Sequence, residues 1–471
     1  MKKTFLLSCL MLAAMPVMAA YTGHVYVDKN KNGVFDQSEK PLAGIKVSDG
    51  LNVVETAADG SFTLPGHERE RFIFITTPSG YKTFNRHYHK IEKKQSGYDF
   101  GLIPYSGRIR KNGSHRYIHI ADTEIFNTEN HADWVNNVRD YARNEQAAFI
   151  IHTGDICYEK GLKAHIKLMN TENMDCPVFY CIGNHDLVKG KYGEELFESI
   201  YGPVYYSFDA GNVHYVVTPM PGGDHAPGYT SDDVCRWLKN DLAHIRPGTP
   251  VVVFNHDLLT YEDTFIFKSK NAGSINLNEY NLKAWVYGHW HINYMKKQGD
   301  VYSVCTSSLD KGGIDHSTTA FRVMHVDSKG DFTSELRYTY LDKNICIASP
   351  AGVMASGVLP VAVNVYSSVS PVREVLYTCL ADGKPVLKNK RLLQSTDWSW
   401  NGELPLSHKY VGKELTLRVT ARFNNGEIAE AESNFICRTE KAVPLFSADW
   451  DNLSGNAKHS APTSGPLNLP L

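Results

Sequence analysis

The alternation of apolar and polar positions divides the chain into three zones. Residues 21–105 and 346–437 carry short strands separated by turn residues, which is typical of all-β domains. Between them, apolar runs alternate with amphipathic segments at 133–142, 193–200 and 231–245, which we predict to be helices. Strands that alternate with helices indicate a sheet flanked by helices. The pattern therefore predicts an α/β core between two small β-sandwich domains.

The same pattern sets the expected domain boundaries. A short polar and basic stretch with two glycines separates the first zone from the second, and the end of the chain is rich in Ser, Gly, Asn and Pro without periodicity. The predicted segments are a signal peptide at 1–20, a β-sandwich at 21–105, a linker at 106–115, the α/β domain at 116–342, a second β-sandwich at 343–440 and a flexible tail at 441–471.

The first residues have the form of a Sec signal peptide. Residues 1–20 begin with Lys2 and Lys3, continue as a largely apolar run over 5–18 and end in two alanines. This run is too short to be a transmembrane span. A lipoprotein would use Cys9, but the apolar run continues well past that residue, which disfavours a lipid anchor. We therefore expect an exported protein, periplasmic or secreted.

Composition indicates a soluble globular protein and excludes some partners. Hydrophobic residues make up 42% of the chain and charged residues 21%. The formal net charge is -2, so no field of one sign favours nucleic acid or an anionic membrane as partner. Eight cysteines remain after Cys9, and an oxidising compartment permits disulfides without requiring them. Because Cys305, Cys379 and Cys437 lie inside apolar strands, we expect buried free thiols there.

Five apolar runs of the central zone end in groups that can bind metal ions. A single such residue often only caps the next helix. In an open α/β sheet, however, ligands bind beyond the carboxyl ends of the strands, so groups far apart in sequence meet there. Five such strand ends together indicate one site. The motifs are Asp122-Thr123-Glu124, Gly154-Asp155-x-x-Tyr158, Gly183-Asn184-His185-Asp186, Asn255-His256 and Gly288-His289-x-His291.

In this order the motifs resemble those of the calcineurin-like metallophosphoesterases, here in an exported bacterial form with β-sandwiches on both sides. The resemblance covers roughly residues 115–340, including the segment 201–208. It implies a four-layer α/β fold, in which two stacked sheets are flanked by helices, and a site for two metal ions. It also implies hydrolysis of phosphate mono- or diesters through attack by a metal-bound hydroxide.

The resemblance further implies a role for each matching residue. Asp155 would bridge the two ions, and His185 would stabilise charge on the substrate oxygen or protonate the leaving group. Asp186 would orient His185. The implied metal ligands are Asp122, Asp155 and His291 for the first ion, and Asp155, Asn184, His256 and His289 for the second.

Two further residues, Glu124 and Tyr158, are possible metal ligands. The identity of the metal stays open among manganese, iron and zinc. The family usually has His where Glu124 stands. As a ligand, Glu124 would favour a harder ion such as manganese, iron or magnesium over zinc. Alternatively, Glu124 points away and Tyr158 binds the metal, as in the purple acid phosphatases, whose Gly-Asp-x-x-Tyr pattern residues 154–158 match. The other alternative for Tyr158 is packing in the core.

A second candidate cation site lies in the first zone. Residues 28–39 match the calcium-loop pattern, with Gly33 at the sharp turn. A strand precedes the loop, so it resembles the calcium loop of B-type repeats in bacterial surface adhesins rather than a helix-flanked EF-hand. The alternative is a solvated Asn/Asp turn. The predicted ligands are Asp28, Asn30, Asn32, Val34, Asp36 and Glu39.

The competing hypothesis is a secreted binding or adhesion protein with an inert centre, whose β-sandwiches bind a glycan or a surface partner. The two hypotheses differ in the completeness of the ligand set. Only the position of Glu124 departs from the usual set, which favours the enzyme.

Overall fold

The protein is described here by a computed structural model that defines residues 20–95, 97–341 and 343–439. The chain divides into two compact units, Met1–Tyr340 and Leu341–Leu471. Apart from Ala20, the predicted signal peptide lies outside the described residues, as does the predicted tail. No helix in the described part of the chain is both long and apolar enough to cross a membrane.

The amino-terminal region of the first unit consists of two small sheets. Its strands are β1 (Tyr21–Val27), β2 (Lys40–Pro41), β3 (Lys46–Ser48), β4 (Val53–Glu55), β5 (Ser61–Leu64), β6 (Phe72–Ile75), β7 (Tyr81–Thr83), β8 (Tyr88–Lys90) and β9 (Phe100–Pro104). One sheet has the order β2-β1-β9-β7, with β5 also paired to β1, and the other has the order β4-β3-β6-β8. Apolar side chains of both sheets, among them Val25, Val47 and Ile73, form one buried core.

The central region of the first unit carries the four helices and the larger sheets. Its strands are β10 (His115–Ile120), β11 (Phe149–His152), β12 (Val178–Tyr180), β13 (Tyr206–Ala210), β14 (Val213–Val217), β15 (Val251–Phe254), β16 (Ile266–Lys268), β17 (Ser274–Asn276), β18 (Leu282–Tyr287), β19 (Tyr294–Gln298), β20 (Val301–Cys305), β21 (Ala320–Val326) and β22 (Phe332–Tyr338). Its helices are α1 (Ala132–Asn144), α2 (Tyr158–Leu168), α3 (Glu195–Tyr201) and α4 (Ser231–Ala243). The predicted helices are present, with ends shifted by at most two residues.

Two sheets form the middle layers of this region. The first has the order β12-β11-β10-β21-β22, and the second has the order β13-β14-β15-β18-β20-β19. Strands β10, β11 and β12 run parallel in the first sheet, as do β14, β15, β18 and β20 in the second. Parallel neighbours end at the same edge of a sheet, so the loops that follow these strands are gathered at one edge.

Aromatic rings fill the space between the two sheets. Tyr117 and Phe149 of the first sheet stack with ring centroids 4.7 Å apart, and Phe149 meets Tyr215 of the second sheet at 5.0 Å. Tyr215 in turn stacks on Phe254 at 5.6 Å. The rings are buried, so they contribute hydrophobic stabilisation as well as favourable ring geometry. They hold the two sheets face to face.

Helices cover the outer faces of the two sheets. Trp134 of α1 and Leu162 of α2 are buried with Ile118 and Ile150 of the first sheet. On the other side, α4 is joined to the second sheet through Trp237, which belongs to the core of that sheet. The order of layers is therefore helix, sheet, sheet, helix, and the predicted fold class is confirmed.

The amino-terminal region is attached to the edge strand of the second sheet. The amide of Asp209 in β13 donates to the carbonyl of Thr77 at 2.8 Å, and Thr77 forms a parallel β-bridge with Phe208. Phe74 also contacts Trp237 of α4, with ring centroids 6.3 Å apart. The hydrogen-bonding edge of β13 is thus covered in part by the preceding region.

The second unit is all β. Its strands are β23 (Asn344–Ser349), β24 (Gly352–Ala355), β25 (Gly357–Tyr366), β26 (Val372–Ala381), β27 (Lys384–Arg391), β28 (Leu393–Gln394), β29 (Ser399–Leu406), β30 (Glu414–Phe423) and β31 (Ile428–Arg438). They form two sheets, with the orders β23-β25-β29-β28 and β24-β31-β30-β26-β27. Val361 and Val363 of one sheet share a core with Leu417 and Val419 of the other.

The cysteines of the described residues are unpaired. All eight are free thiols, and only Cys346 is exposed. Burial raises the pKa of the Cys181 and Cys305 thiols, which keeps them protonated and poorly reactive. The expectation of buried free thiols in the apolar strands agrees with this arrangement.

A buried ion-pair cluster connects α4 to the second sheet. His214 of β14 contacts Asp209 through Nδ1 at 2.7 Å and Asp241 of α4 through Nε2 at 2.8 Å. Ser207 also donates to Asp241, and Lys46 lies 3.7 Å from Asp209. Burial alone lowers the pKa of His214, but the charges and hydrogen bonds of the two carboxylates outweigh it and raise the pKa above 6.5.

We predict a pH-dependent loss of stability when this histidine is removed. His214→Ala should lower the free energy of unfolding by about 3 kcal/mol at about pH 6, because the buried Asp241 and the half-buried Asp209 lose the imidazolium between them. The raised pKa means that this stabilisation is fully present below the unfolded pKa and is lost as the pH rises through the folded pKa. The difference in free energy of unfolding between wild type and variant should therefore be smaller at about pH 9 than at about pH 6. Urea unfolding followed by fluorescence measures it. The exposed His408→Ala serves as control, and a difference that widens with pH would contradict the prediction.

Candidate metal centre

The five predicted motifs lie at the carboxyl ends of parallel strands. Asp122, Asp155 and Asn184 follow β10, β11 and β12 of the first sheet. His256 and His289 follow β15 and β18 of the second sheet. Because the sheets pack face to face, the loops from both meet at one edge. The structure therefore brings together the polar residues that the sequence placed at five separate strand ends.

Backbone strain is concentrated at this edge. Seven non-glycine residues of these loops have positive φ angles between 45° and 75°, a region that side chains with a Cβ adopt rarely. Such conformations cost free energy and persist where the surrounding structure enforces them, commonly at functional sites. The seven are Asp122, Glu124, Asp155, Cys157, Tyr158, His289 and His291.

One cluster of potential ligands consists of Asp122, Asp155 and His291, whose ligand atoms lie within 4.8 Å of one another. His291 Nε2 is 3.5 Å from Asp122 Oδ1. The Asp122 carboxylate is fully buried and accepts the His289 amide at 3.1 Å. Burial and the charge of Asp155 hold the pKa of Asp122 well above its ordinary value. Such uncompensated buried carboxylates fit a bound cation.

A second cluster shares Asp155 with the first and adds His256 and His289. His256 Nε2 lies 3.1 Å from both Asp155 Oδ2 and Asn184 Oδ1. The Nδ1 of His256 donates to the carbonyl of Thr153 at 2.7 Å, which leaves Nε2 directed at the carboxylate. Burial lowers the pKa of His289, which favours the neutral imidazole that metals bind.

Comparison with known proteins agrees with this geometry. The calcineurin-like phosphoesterase family matches residues 115–293, and the N-terminal domain of calcineurin-like phosphoesterases matches residues 29–104. The chain belongs to the calcineurin-like phosphoesterases. Purple acid phosphatase 13 of Arabidopsis thaliana is 26% identical over 215 residues, which are 43% of this chain and 36% of that protein. The chain thus matches about a third of the length of this curated relative.

Solved structures show only distant likeness. An archaeal phosphodiesterase has 13% identity, covers 47% of this chain and 99% of its own, and has a TM-score of 0.25. The zinc complex of Vps29 from Entamoeba histolytica has 11% identity, covers 47% and 97% of the two chains, and has a TM-score of 0.25. TM-scores this low support no conclusion about the function of this chain.

The structure orients His185 differently from the prediction. Asp186, which was expected to hold the ring, is buried and accepts the amides of Gly183 at 2.9 Å and Cys157 at 2.8 Å. It therefore fixes two loops of the centre. The ring of His185 instead contacts Asp224 through Nδ1 at 2.9 Å. Asp224 lies in a loop without a recognisable motif, so the sequence offered no signal for it.

Glu124 points into the candidate metal centre. Its Oε1 lies 3.5 Å from His291 Nε2, and the same carboxylate belongs to a cluster with Asp155 and Cys157. Lys311, which sequence reasoning did not identify, pairs with Glu124 Oε2 at 2.6 Å. The alternative in which Glu124 turns away is therefore wrong. A lysine at this position reduces the negative charge that Glu124 adds to the centre.

Tyr158 is not part of the core. Its side chain is 44% exposed, and its ring lies 5.3 Å from that of His185. The core-packing alternative is therefore wrong. The ring stacks on Phe126 at 6.2 Å, so its described ring contacts are with Phe126 and His185.

The predicted calcium loop of the amino-terminal region folds around two carboxylates. The buried Asp28 accepts the Gly33 amide at 2.9 Å, and Gly33 has a φ of +74°. The side-chain amides of Asn30 and Asn32 donate to Asp36 at 2.7 and 3.0 Å. Two further predicted residues complete the loop: Glu39, which accepts the Lys29 amide at 2.8 Å, and Val34, which is 59% exposed and offers a backbone carbonyl.

We predict that Asp155 controls metal retention. Asp155→Asn keeps a side chain that tolerates the left-handed backbone but removes the charge shared by both clusters. Metal affinity should fall by at least about tenfold, since even outer-sphere changes cost that much. Metal content after dialysis, measured by plasma mass spectrometry, tests this. Asp224→Asn, at the same mouth but outside both clusters, should retain wild-type metal, and equal retention by both variants would contradict the prediction.

Proposed function

We propose that the protein is an exported, metal-dependent phosphoesterase that hydrolyses phosphate mono- or diesters at a dinuclear centre. The observation that supports this most directly is the Asp155 carboxylate, which is common to the cluster with Asp122 and His291 and to the cluster with His256 and His289. Family membership makes a phosphate ester the expected substrate. The exported location rests on the signal-peptide pattern of residues 1–20.

The donor set fits two divalent ions. Carboxylate, amide oxygen and imidazole are ligands that suit such ions. Asp122, Asp155 and His291 would hold the first ion, and Asp155, His256 and His289 would hold the second with Asn184 alongside. When bound, two ions of this kind polarise phosphoryl oxygens and make hydroxide available near neutral pH.

The residues of the chain position the substrate and the proton. His185 donates its amide to Asp155 at 3.0 Å, which ties the backbone of the histidine to the centre. Its Nδ1 is held by Asp224, so Nε2 is the atom left to face the substrate. A proton on Nε2 would pass to the leaving-group oxygen as the ester bond breaks. Asp224 is a positioning residue in this scheme because it acts through the imidazole.

Glu124 affects which metal ion the centre would prefer. With Asp122 and Asp155 it would give the first ion three carboxylates and a single imidazole, His291. A donor set rich in oxygen favours manganese, iron or magnesium over zinc. The Lys311 pair weakens this preference by drawing one carboxylate oxygen of Glu124 away from His291.

The test is hydrolysis of a phosphomonoester and a phosphodiester chromogen by metal-stripped protein re-loaded with manganese, iron or zinc. Wild type should turn over at least one ester only with metal, and Asp155→Asn should lose at least about a hundredfold in kcat/KM, as expected for a group acting on both ions. Asp300→Asn, a fully exposed carboxylate, is the matched control. No turnover with any metal, in protein shown to be folded, would instead favour the binding-protein hypothesis, with a glycan or surface partner.

We also propose that calcium binds the loop formed by residues 28–39. The support is the convergence of Asp28, Asp36 and Glu39 on one loop with Gly33 at its turn. A structural calcium there would stiffen the amino-terminal region, which packs against α4.

Calcium should therefore raise the melting temperature of the whole protein. At a calcium concentration of about 100 times Kd, the stabilisation is about 2.7 kcal/mol for the region that binds. Differential scanning calorimetry with calcium and with chelator measures it. Asp28→Asn should abolish the shift while Asp155→Asn keeps it, which separates this loop from the metal centre. A shift that survives Asp28→Asn and disappears in Asp155→Asn would contradict the proposal.

A further inference from the structure

Two exposed aromatic rings stand beside the histidine of the metal centre. Phe126 is 55% exposed and Tyr158 is 44% exposed. Their rings are stacked at 6.2 Å with an interplanar angle of 15°, and Tyr158 lies 5.3 Å from the ring of His185. The three rings form a row that leads from solvent to the site of chemistry. We call Phe126 and Tyr158 the aromatic pair.

The stability of the fold does not account for this pair. Aromatic side chains stabilise proteins mainly by burial, and these two leave about half of their surfaces in water. Tyr158 also has a φ of +56°, an unfavourable backbone conformation for a bulky residue. A strained, exposed tyrosine stacked on an exposed phenylalanine at the mouth of a catalytic centre is better explained by ligand binding.

The position of the pair relative to His185 identifies which part of a substrate it meets. If His185 faces the leaving-group oxygen, as the proposed function requires, the leaving group lies on the side of Tyr158. Two pairs of charged groups near the histidine already neutralise each other, Lys311 with Glu124 and Asp224 with His185. What the pair offers a leaving group is therefore a flat π surface rather than a charge.

We propose that the leaving group of the substrate carries a planar aromatic ring, which stacks on Phe126 and Tyr158 while the phosphate lies at the metal centre. This inference rests on the proposed function and specifies its substrate class. A nucleobase and a simple aryl group share this chemistry, since each presents a π face to an aromatic side chain. Apolar chains and small polyols lack such a face and gain little from the pair.

The experiment compares esters with and without a ring in the same variants. The substrates are adenosine 5'-phosphate, 4-nitrophenyl phosphate and glycerol 3-phosphate, or their diester counterparts if the protein prefers diesters. Phe126→Leu and Tyr158→Ala should lower kcat/KM for the ring-bearing esters by about tenfold, as for loss of one stacking partner, and leave the glycerol ester unchanged. Tyr158→Phe, which keeps the ring, should behave as wild type.

A matched control is available in Tyr261. It is 74% exposed and also stacked, but its ring lies on Trp290 at 5.9 Å rather than beside His185. Tyr261→Ala should leave all three esters unaffected. A larger loss with the adenosine ester than with the nitrophenyl ester would assign the site to a nucleotide, and the reverse would assign it to an aryl ester.

Other results would overturn the inference. The inference fails if the variants lose equal activity on ring-bearing and glycerol esters, or if neither variant loses activity. It also fails if Tyr158→Phe is as impaired as Tyr158→Ala, because that result implicates the hydroxyl rather than the ring. Calorimetric binding of adenosine 5'-phosphate and 4-nitrophenyl phosphate to metal-loaded wild type and Phe126→Leu needs no turnover. It therefore keeps failure of the inference distinct from failure of the proposed function, which would appear as absent hydrolysis of every ester.

Discussion

The stacking of aromatic rings between the two central sheets is the interaction on which the metal centre depends. Each sheet alone carries only part of the predicted ligand set, because Asp122, Asp155 and Asn184 follow strands of the first sheet and His256 and His289 follow strands of the second. The ladder from Tyr117 through Phe149 and Tyr215 to Phe254 fixes the two carboxyl edges at a constant spacing. Interiors packed in this way resist small displacements, so the predicted ligands are held in fixed positions relative to one another.

Much of the centre could be predicted because its residues are local to strand ends. A strand followed by Asp or His is visible in the sequence, and the rule that parallel strands end together converts five separate motifs into one site. The fold class followed from the same alternation of strands and helices. The amino-terminal contact between Phe74 and Trp237 was not predictable, because it depends on how two regions pack and not on a periodic pattern.

The residues that sequence reasoning missed are those that reach the centre from loops without a pattern. Asp224 replaces Asp186 as the partner of His185, because the chain around Gly183 turns so tightly that the Asp186 carboxylate satisfies nearby amides. Lys311 approaches Glu124 from a loop 187 residues away in sequence. Such contacts depend on tertiary geometry, and neither spacing nor composition carries a signal for them.

The bridge between Thr77 and Phe208 has a consequence for the integrity of the larger sheet. β13 lies at the edge of the second sheet, where its outward amides and carbonyls are a template for any extended peptide. The amide of Asp209 is already engaged by Thr77. The amino-terminal region therefore shields part of this edge from pairing with another strand. A chain that lacked this region would expose the edge of β13 to strand addition by other copies of itself.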